Sequence, residues 1–148
     1  MTAPVVLRPG EGEASDLGIA NFSVKADSAA TGGAYSFVEA SGTVLATPHV
    51  HHHHEEAYYV VEGRVRFLLG DEQVTVEAGS FLLVPRETMH AFVSEGEATL
   101  LIMHSPGGFE EYFRQAFPLL LEGRLDTEAR DRLAAEVGMT YDDEVEFL

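Results

Sequence analysis

The amino-acid sequence predicts an all-β domain followed by two short helices. Three observations carry that prediction. From about residue 18 to 104 the apolar residues fall in short runs rich in β-branched and aromatic types. Gly-rich or polar segments separate these runs at regular spacing, the pattern of a sandwich or barrel of short strands. After residue 105 the apolar spacing lengthens from that of strands to that of amphipathic helices.

Taken in order, "IANFSVKA", "AYSFVEA" and "TVLATPHVH" read as strands, split by "ATGG" and "SG". "AYYVV" and "RVRFLL" lie on either side of "EG". "RVRFLLGDEQVTV" reads as a β-hairpin with Gly70 and Asp71 near its turn. "FLLVP", "HAFVS" and "ATLLIM" complete the β core. In "SPGGFEEYFRQAF" the residues Phe109, Tyr112, Phe113, Ala116 and Phe117 recur at i, i+3, i+4, i+7 and i+8, which is one apolar helix face. That stripe is read as packing against the β core, and Pro118 as the limit of the helix. "DTEARDRLAAEVG" predicts a second helix. Asp126 is its N-cap, Ala129, Leu133 and Val137 share a face, and Gly138 stands just past the end. The helices cover about 107–138, and the acidic tail "YDDEVEFL" is expected to be loosely ordered. A length of 148 residues suits one domain, 1–148, with the β core at about 18–104.

Composition excludes several classes. There are 25 acidic and 9 basic residues, for a net charge of −16. Phosphate binding needs clustered Lys and Arg, so nucleic acid and anionic membranes are not expected partners. Lys25 is the single lysine, which also disfavours phosphosugars as substrates. No apolar run is long enough to cross a bilayer, and "MTAPVVLRPGEGEASD" lacks the layout of a signal peptide. Cysteine is absent, which removes disulfides, thiolate metal sites and a cysteine nucleophile. The expected location is cytoplasmic.

Five of the seven histidines crowd into positions 49–54, within "TPHVHHHHEEAYYVVEG". The run is internal and begins inside a β pattern, unlike a purification tag. Residues i and i+2 of a strand share a face about 6–7 Å apart, so His49 and His51 can converge on one ion. A glutamate just past the turn, on the next strand, can supply a third ligand. Imidazole with carboxylate suits Fe, Mn, Ni, Co, Cu or Zn and is too nitrogen-rich for Ca or Mg.

These residues resemble the first motif of the cupins. His49-Val50-His51 is followed by four residues, Glu56, six residues and Gly63. The six-residue gap selects Glu56 over Glu55. The second cupin motif is matched by Gly79, "SFLLV", Pro85, two further residues, "TM", His90, "AFV" and Ser94. Glu87 stands where that motif has glycine, Ser94 where it has asparagine, and Gly42 is one residue further from His49 than usual. The resemblance covers roughly residues 35–104. It implies a jelly-roll β-barrel with a short two-helix C-terminal extension, and a divalent metal held by His49, His51, Glu56 and His90. His52, His53 and His54 would be solvated turn residues. Tyr58 shares the parity of Glu56, and His104 that of Leu100 and Ile102. Both are candidates for the substrate pocket, and His104 is read as a core or rim residue before a ligand.

Three imidazoles and one carboxylate leave open positions on a metal, and a small barrel encloses an apolar cavity beside it. The implied partner is a small oxygen-rich molecule, with Glu56 also placed to take a proton. The stretch looks most like quercetinase-like dioxygenases, which act on flavonols. A non-oxidative cyclase or isomerase of aromatic natural-product pathways is the alternative, and a non-catalytic metabolite-binding cupin the second alternative. A homodimer is expected, with "APVVLRP" as a candidate added strand that covers a sheet edge.

Overall fold

The computed structural model describes residues 3–148. Its strands are β1 (Glu13–Asp16), β2 (Ala20–Ala26), β3 (Ser36–Gly42), β4 (Leu45–His51), β5 (Glu55–Glu62), β6 (Arg64–Leu69), β7 (Glu72–Glu77), β8 (Phe81–Val84), β9 (His90–Ser94), β10 (Ala98–Ser105) and β11 (Met139–Tyr141). A single helical turn, α1 (Ser28–Thr31), follows β2, and the helices α2 (Glu110–Leu121) and α3 (Thr127–Glu136) precede β11.

The strands make two antiparallel sheets, β1-β2-β3-β10-β5-β8 and β11-β4-β9-β6-β7. The sheets face each other as a jelly roll. Val38, Val60 and Leu100 of the first meet Val65, Phe67 and Phe92 of the second in one buried cluster. Tyr58 crosses the interior, its ring 5.1 Å from that of Phe67 and 5.5 Å from that of Phe92. The expected barrel is therefore open. Side chains join the two sheets, and the edge strands β8 and β7 are not hydrogen-bonded to each other. No helix among the described residues is long and apolar enough to cross a membrane.

Local sequence explains most boundaries. β6 and β7 pair from Arg64↔Glu77 to Leu69↔Glu72, which leaves Gly70 and Asp71 as a two-residue turn. Gly63 joins β5 to β6 at φ 84°, where an added Cβ would lie 2.5 Å from the Glu97 carbonyl oxygen. Only glycine fits there. Asp126 caps α3 by accepting from the Ala129 N–H at 2.8 Å.

Two sequence expectations are corrected. Helix α2 runs through Pro118 to Leu121. Proline removes one N–H, but Phe117 is buried in the main core and Leu119 packs on the second apolar cluster, which hold the last turn in place. The tail is not loose. Residues 139–141 pair with β4, and Phe147 is buried beneath Arg66, whose guanidinium carbon is 4.4 Å from the ring centre. Within the single chain "APVVLRP" forms no strand, and Val5, Val6 and Leu7 are exposed, so the segment remains a proposed added strand of a dimer.

Candidate metal centre

His49 and His51 project from the inner face of β4, Glu56 from β5 and His90 from β9. The antiparallel register sets His49 opposite His90. One donor atom from each of the four lies within 4.8 Å of the other three, and all four side chains are buried. The His49 Nδ1–H donates to the Thr47 carbonyl at 2.7 Å, and the His90 Nδ1–H donates to the Thr88 carbonyl at 2.8 Å. A carbonyl can only accept, so these bonds fix the proton on Nδ1 and aim Nε2 inward.

The donor set fits a cation. The His90 Nε2 lies 2.7 Å from Glu56 Oε1. In a neutral ring with its proton on Nδ1, that contact sets a lone pair against a carboxylate oxygen. Only a proton or a metal ion relieves it. The His51 Nε2 is 3.1 Å from the same oxygen, yet it is not aligned for a hydrogen bond, and both His51 nitrogens lack a partner. Buried polar atoms without partners are costly, and coordination is what this geometry offers them.

Electrostatics keep the donors in their binding forms. Burial pushes the His51 imidazole down to about 4, against the pull of Glu56. Burial, reinforced by the neighbouring His90 and His51, holds His49 well below its ordinary value. Burial alone would raise the Glu56 carboxyl, but the His104 and His51 imidazoles outweigh it and hold it well below the carboxylate range. At neutral pH the site thus presents neutral His49 and His51 and an anionic Glu56, the states that metals bind.

A cavity of about 470 Å³ opens onto this cluster and shares His49, His51 and Glu56 with it. Tyr58 lines it, as the strand parity predicts. The Tyr58 hydroxyl is buried without a hydrogen-bond partner, and burial raises its pKa well above the usual phenol value. Part of its wall comes from segments after the β core, with Phe109, Tyr112, Phe117 and Tyr141 among its residues. The Tyr112 and Tyr141 hydroxyls are hydrogen-bonded at 2.7 Å.

The structure keeps His104 in the core, the first of its two readings, and moves His54 from its predicted setting. His104 does not line the cavity. It lies opposite Glu56 in the β10–β5 register, with its Nε2 2.9 Å from Glu56 Oε2 and its ring stacked on Phe109 at 4.2 Å. His54 is not solvated. It is buried, with its Nδ1 2.7 Å from the Pro106 carbonyl oxygen, because the turn folds under the segment after β10. His53 is exposed as expected, while His52 bridges Glu87 Oε2 at 2.8 Å and Thr140 Oγ1 at 2.9 Å.

Both departures from the second motif are accommodated. Glu87 takes the left-handed backbone itself, at φ 68°, and is the one non-glycine residue among those described to do so. Ser94 is buried, and its hydroxyl accepts from the Val44 N–H at 3.0 Å and donates to the Gly96 carbonyl at 2.7 Å. Sequence reasoning missed Phe109 and Tyr141 as cavity residues. The aromatic spacing of α2 marked Phe109, but as core, and no local signal placed Tyr141 beside His49.

Comparison with known proteins agrees with this fold. Residues 37–105 match the Cupin_2 family, described as cupin domain. Quercetin 2,3-dioxygenase of Bacillus subtilis is 29% identical over 114 residues, covering 75% of this chain and 34% of that protein. The chain thus spans about a third of that relative's length. KdgF from Halomonas sp. superposes with a TM-score of 0.64 at 21% identity, over 74% of this chain and 99% of that one. An RmlC-like cupin from Shewanella frigidimarina gives 0.63 at 18% identity, over 74% and 96%. Streptomyces Pac13, described as a nucleoside dehydratase, gives 0.59 at 18% identity, over 74% and 88%. These structural likenesses establish the cupin fold.

Proposed function

We propose that this small cupin, with residues 37–105 as its cupin domain, is a metal-dependent enzyme acting on a largely apolar, oxygen-rich small molecule. The substrate class is a flavonol or polyketide-like enol, and the reaction a quercetinase-like dioxygenation. One observation carries the reading: the buried donors His49, His51, Glu56 and His90 form one cluster, and the first three line an apolar cavity of a size that suits such a ligand. The distant likeness to a quercetin dioxygenase supports the choice of substrate class.

A divalent transition metal bound by these four residues would supply Lewis acidity and lower the pKa of a coordinated hydroxyl. The chain's own groups do the rest. His49 and His90, locked through Nδ1, hold the centre in one geometry. The Glu56 carboxylate is an anionic base within reach of a proton on a substrate oxygen beside it. The Tyr58 hydroxyl, without a protein partner, is free to donate to a second substrate oxygen. Phe109, Phe117 and their neighbours exclude water from the reacting face.

The test is a metal analysis of the purified protein, followed by oxygen-electrode assays with quercetin and enolic polyketide analogues. Oxygen uptake coupled to loss of quercetin is expected. Product formed without oxygen uptake would replace dioxygenation by cyclisation or isomerisation at the same centre. Saturable binding without turnover of any of them would leave a metabolite-binding cupin.

A further inference from the structure

We propose that His104 is a positioning residue for Glu56, holding carboxylate oxygen Oε2 so that Oε1 alone faces the His51 and His90 nitrogens. The inference rests on the metal reading above and deepens it. The two oxygens of Glu56 have separate neighbours. Oε1 is 2.7 Å from His90 Nε2 and 3.1 Å from His51 Nε2, whereas Oε2 is 2.9 Å from His104 Nε2. His104 lies outside the set of four mutually close donors, so it acts on the carboxylate and not as a fifth ligand.

Three features make the contact a built one. His104 and Glu56 are directly opposed across β10 and β5, a cross-strand pair on the inner face. The imidazole is fully buried, its Nδ1 has no partner, and the one acceptor beside its Nε2 is Glu56 Oε2, approached at 2.9 Å but off the alignment of a full hydrogen bond. A carboxylate oxygen only accepts, so a proton on Nε2 makes the 2.9 Å approach attractive as an electrostatic contact, although it is not aligned as a full hydrogen bond. Phe109 lies flat against the ring, 25° from parallel at 4.2 Å, and limits how far it can turn away. A carboxylate gripped at one oxygen presents the other to the metal as a single donor. Outer partners that orient a metal ligand contribute roughly 10–100-fold in affinity.

The test uses the full chain, stripped of metal by a chelator and titrated with Co²⁺, with binding followed by the visible d–d absorption. His104→Leu removes the donor and His104→Gln keeps an N–H of similar reach. We expect His104→Leu to weaken Co²⁺ binding by roughly 10–100-fold and to shift the d–d bands, as Glu56 loses its fixed orientation. His104→Gln should recover most of the affinity and the wild-type spectrum. Circular dichroism of the metal-free variants checks that they fold, and if His104→Leu does not, His104→Met, which also lacks an N–H, takes its place in the comparison. Wild-type affinity and spectrum in His104→Leu would overturn the inference. So would a loss in His104→Gln as large as in His104→Leu, which would make His104 a packing residue. A wild-type protein that binds no Co²⁺ would instead overturn the metal reading itself, and this inference with it.

Discussion

At the scale of single residues, the histidine-rich stretch divides into two populations that one substitution each can separate. His51 is buried with both nitrogens unpartnered, whereas His53 is exposed on the turn. His51→Ala should therefore remove most of the bound metal, a loss exceeding the roughly 10–100-fold typical of an outer partner. His53→Ala should retain it, and metal content after dialysis checks both. An equal loss in the two variants would make the turn the chelator. Glu56 and Glu55 form a second pair. Glu56→Gln keeps the shape but removes the base, so turnover should fall by about 10²–10⁴ while Glu55→Gln stays near wild type. The same groups set the response of the metal-free protein to acid. His49 and His51 are depressed below their unfolded value of about 6.5, and Glu56 below its own. The unfolded chain then binds more protons than the folded one, so stability falls as pH drops. Loss should begin near pH 6.5 and continue to about 4 from His51 alone, with Glu56 extending it lower. Metal should shift the acid midpoint down, because protons compete for its ligands.

At the scale of elements, the turn between β8 and β9 shows how a departure from a motif is absorbed. Glu87 adopts the left-handed backbone that glycine takes without cost, at about 1–2 kcal/mol. Its exposed contact with His52 offsets only part of that. Glu87→Gly should leave stability unchanged or raise it by up to about 1 kcal/mol. Glu87→Val should be less stable than Glu87→Gly by at least about 1–2 kcal/mol, since a β-branched side chain at positive φ is an outlier. Denaturant melts of the two variants check the order. The strands, their turns and the cap at Asp126 were legible in the sequence because each depends on neighbours a few residues away. So was the union of His49, His51, Glu56 and His90, because two ordered motifs encode it. What was not legible depends on partners far along the chain. The pairing of Tyr141 with His49 and the meeting of His104 with Glu56 are set by register between distant strands, and the burial of Phe147 under Arg66 by the return of the C-terminal segment onto β6. Pro118 misled because local propensity counted the lost N–H and not the burial of Phe117 and Leu119 around it.

At the scale of the whole molecule, charge and apolar surface point in opposite directions. A net charge of −16 repels a second copy at long range. Yet the outer face of β5 and β8 carries Tyr59, Val61, Phe81 and Leu83, with Phe81 64% and Leu83 55% exposed. Tyr59 and Phe81 are directly opposed in the register, so the four form one patch and not scattered residues. Strand β8 is also the sheet edge, with backbone groups unpaired on one side. An apolar patch at an open edge is a site for association. A homodimer formed through this face is the expected state. Its affinity is a contest between the patch, which salt scarcely affects, and the charge, which salt screens. The Debye length shrinks from about 30 Å at 0.01 M salt to about 8 Å at 0.15 M. Light scattering should therefore show more dimer at 0.15 M than at 0.01 M, the reverse of an assembly held by ion pairs. Phe81→Glu, which adds a charge at the centre of the patch, should shift the protein to monomer at both salt concentrations without lowering the thermal midpoint of the monomer. A wild-type protein that stays monomeric at micromolar concentration in 0.15 M salt would remove the dimer. A dimer unmoved by Phe81→Glu would place the contact elsewhere, with the exposed Val5, Val6 and Leu7 the next surface to examine.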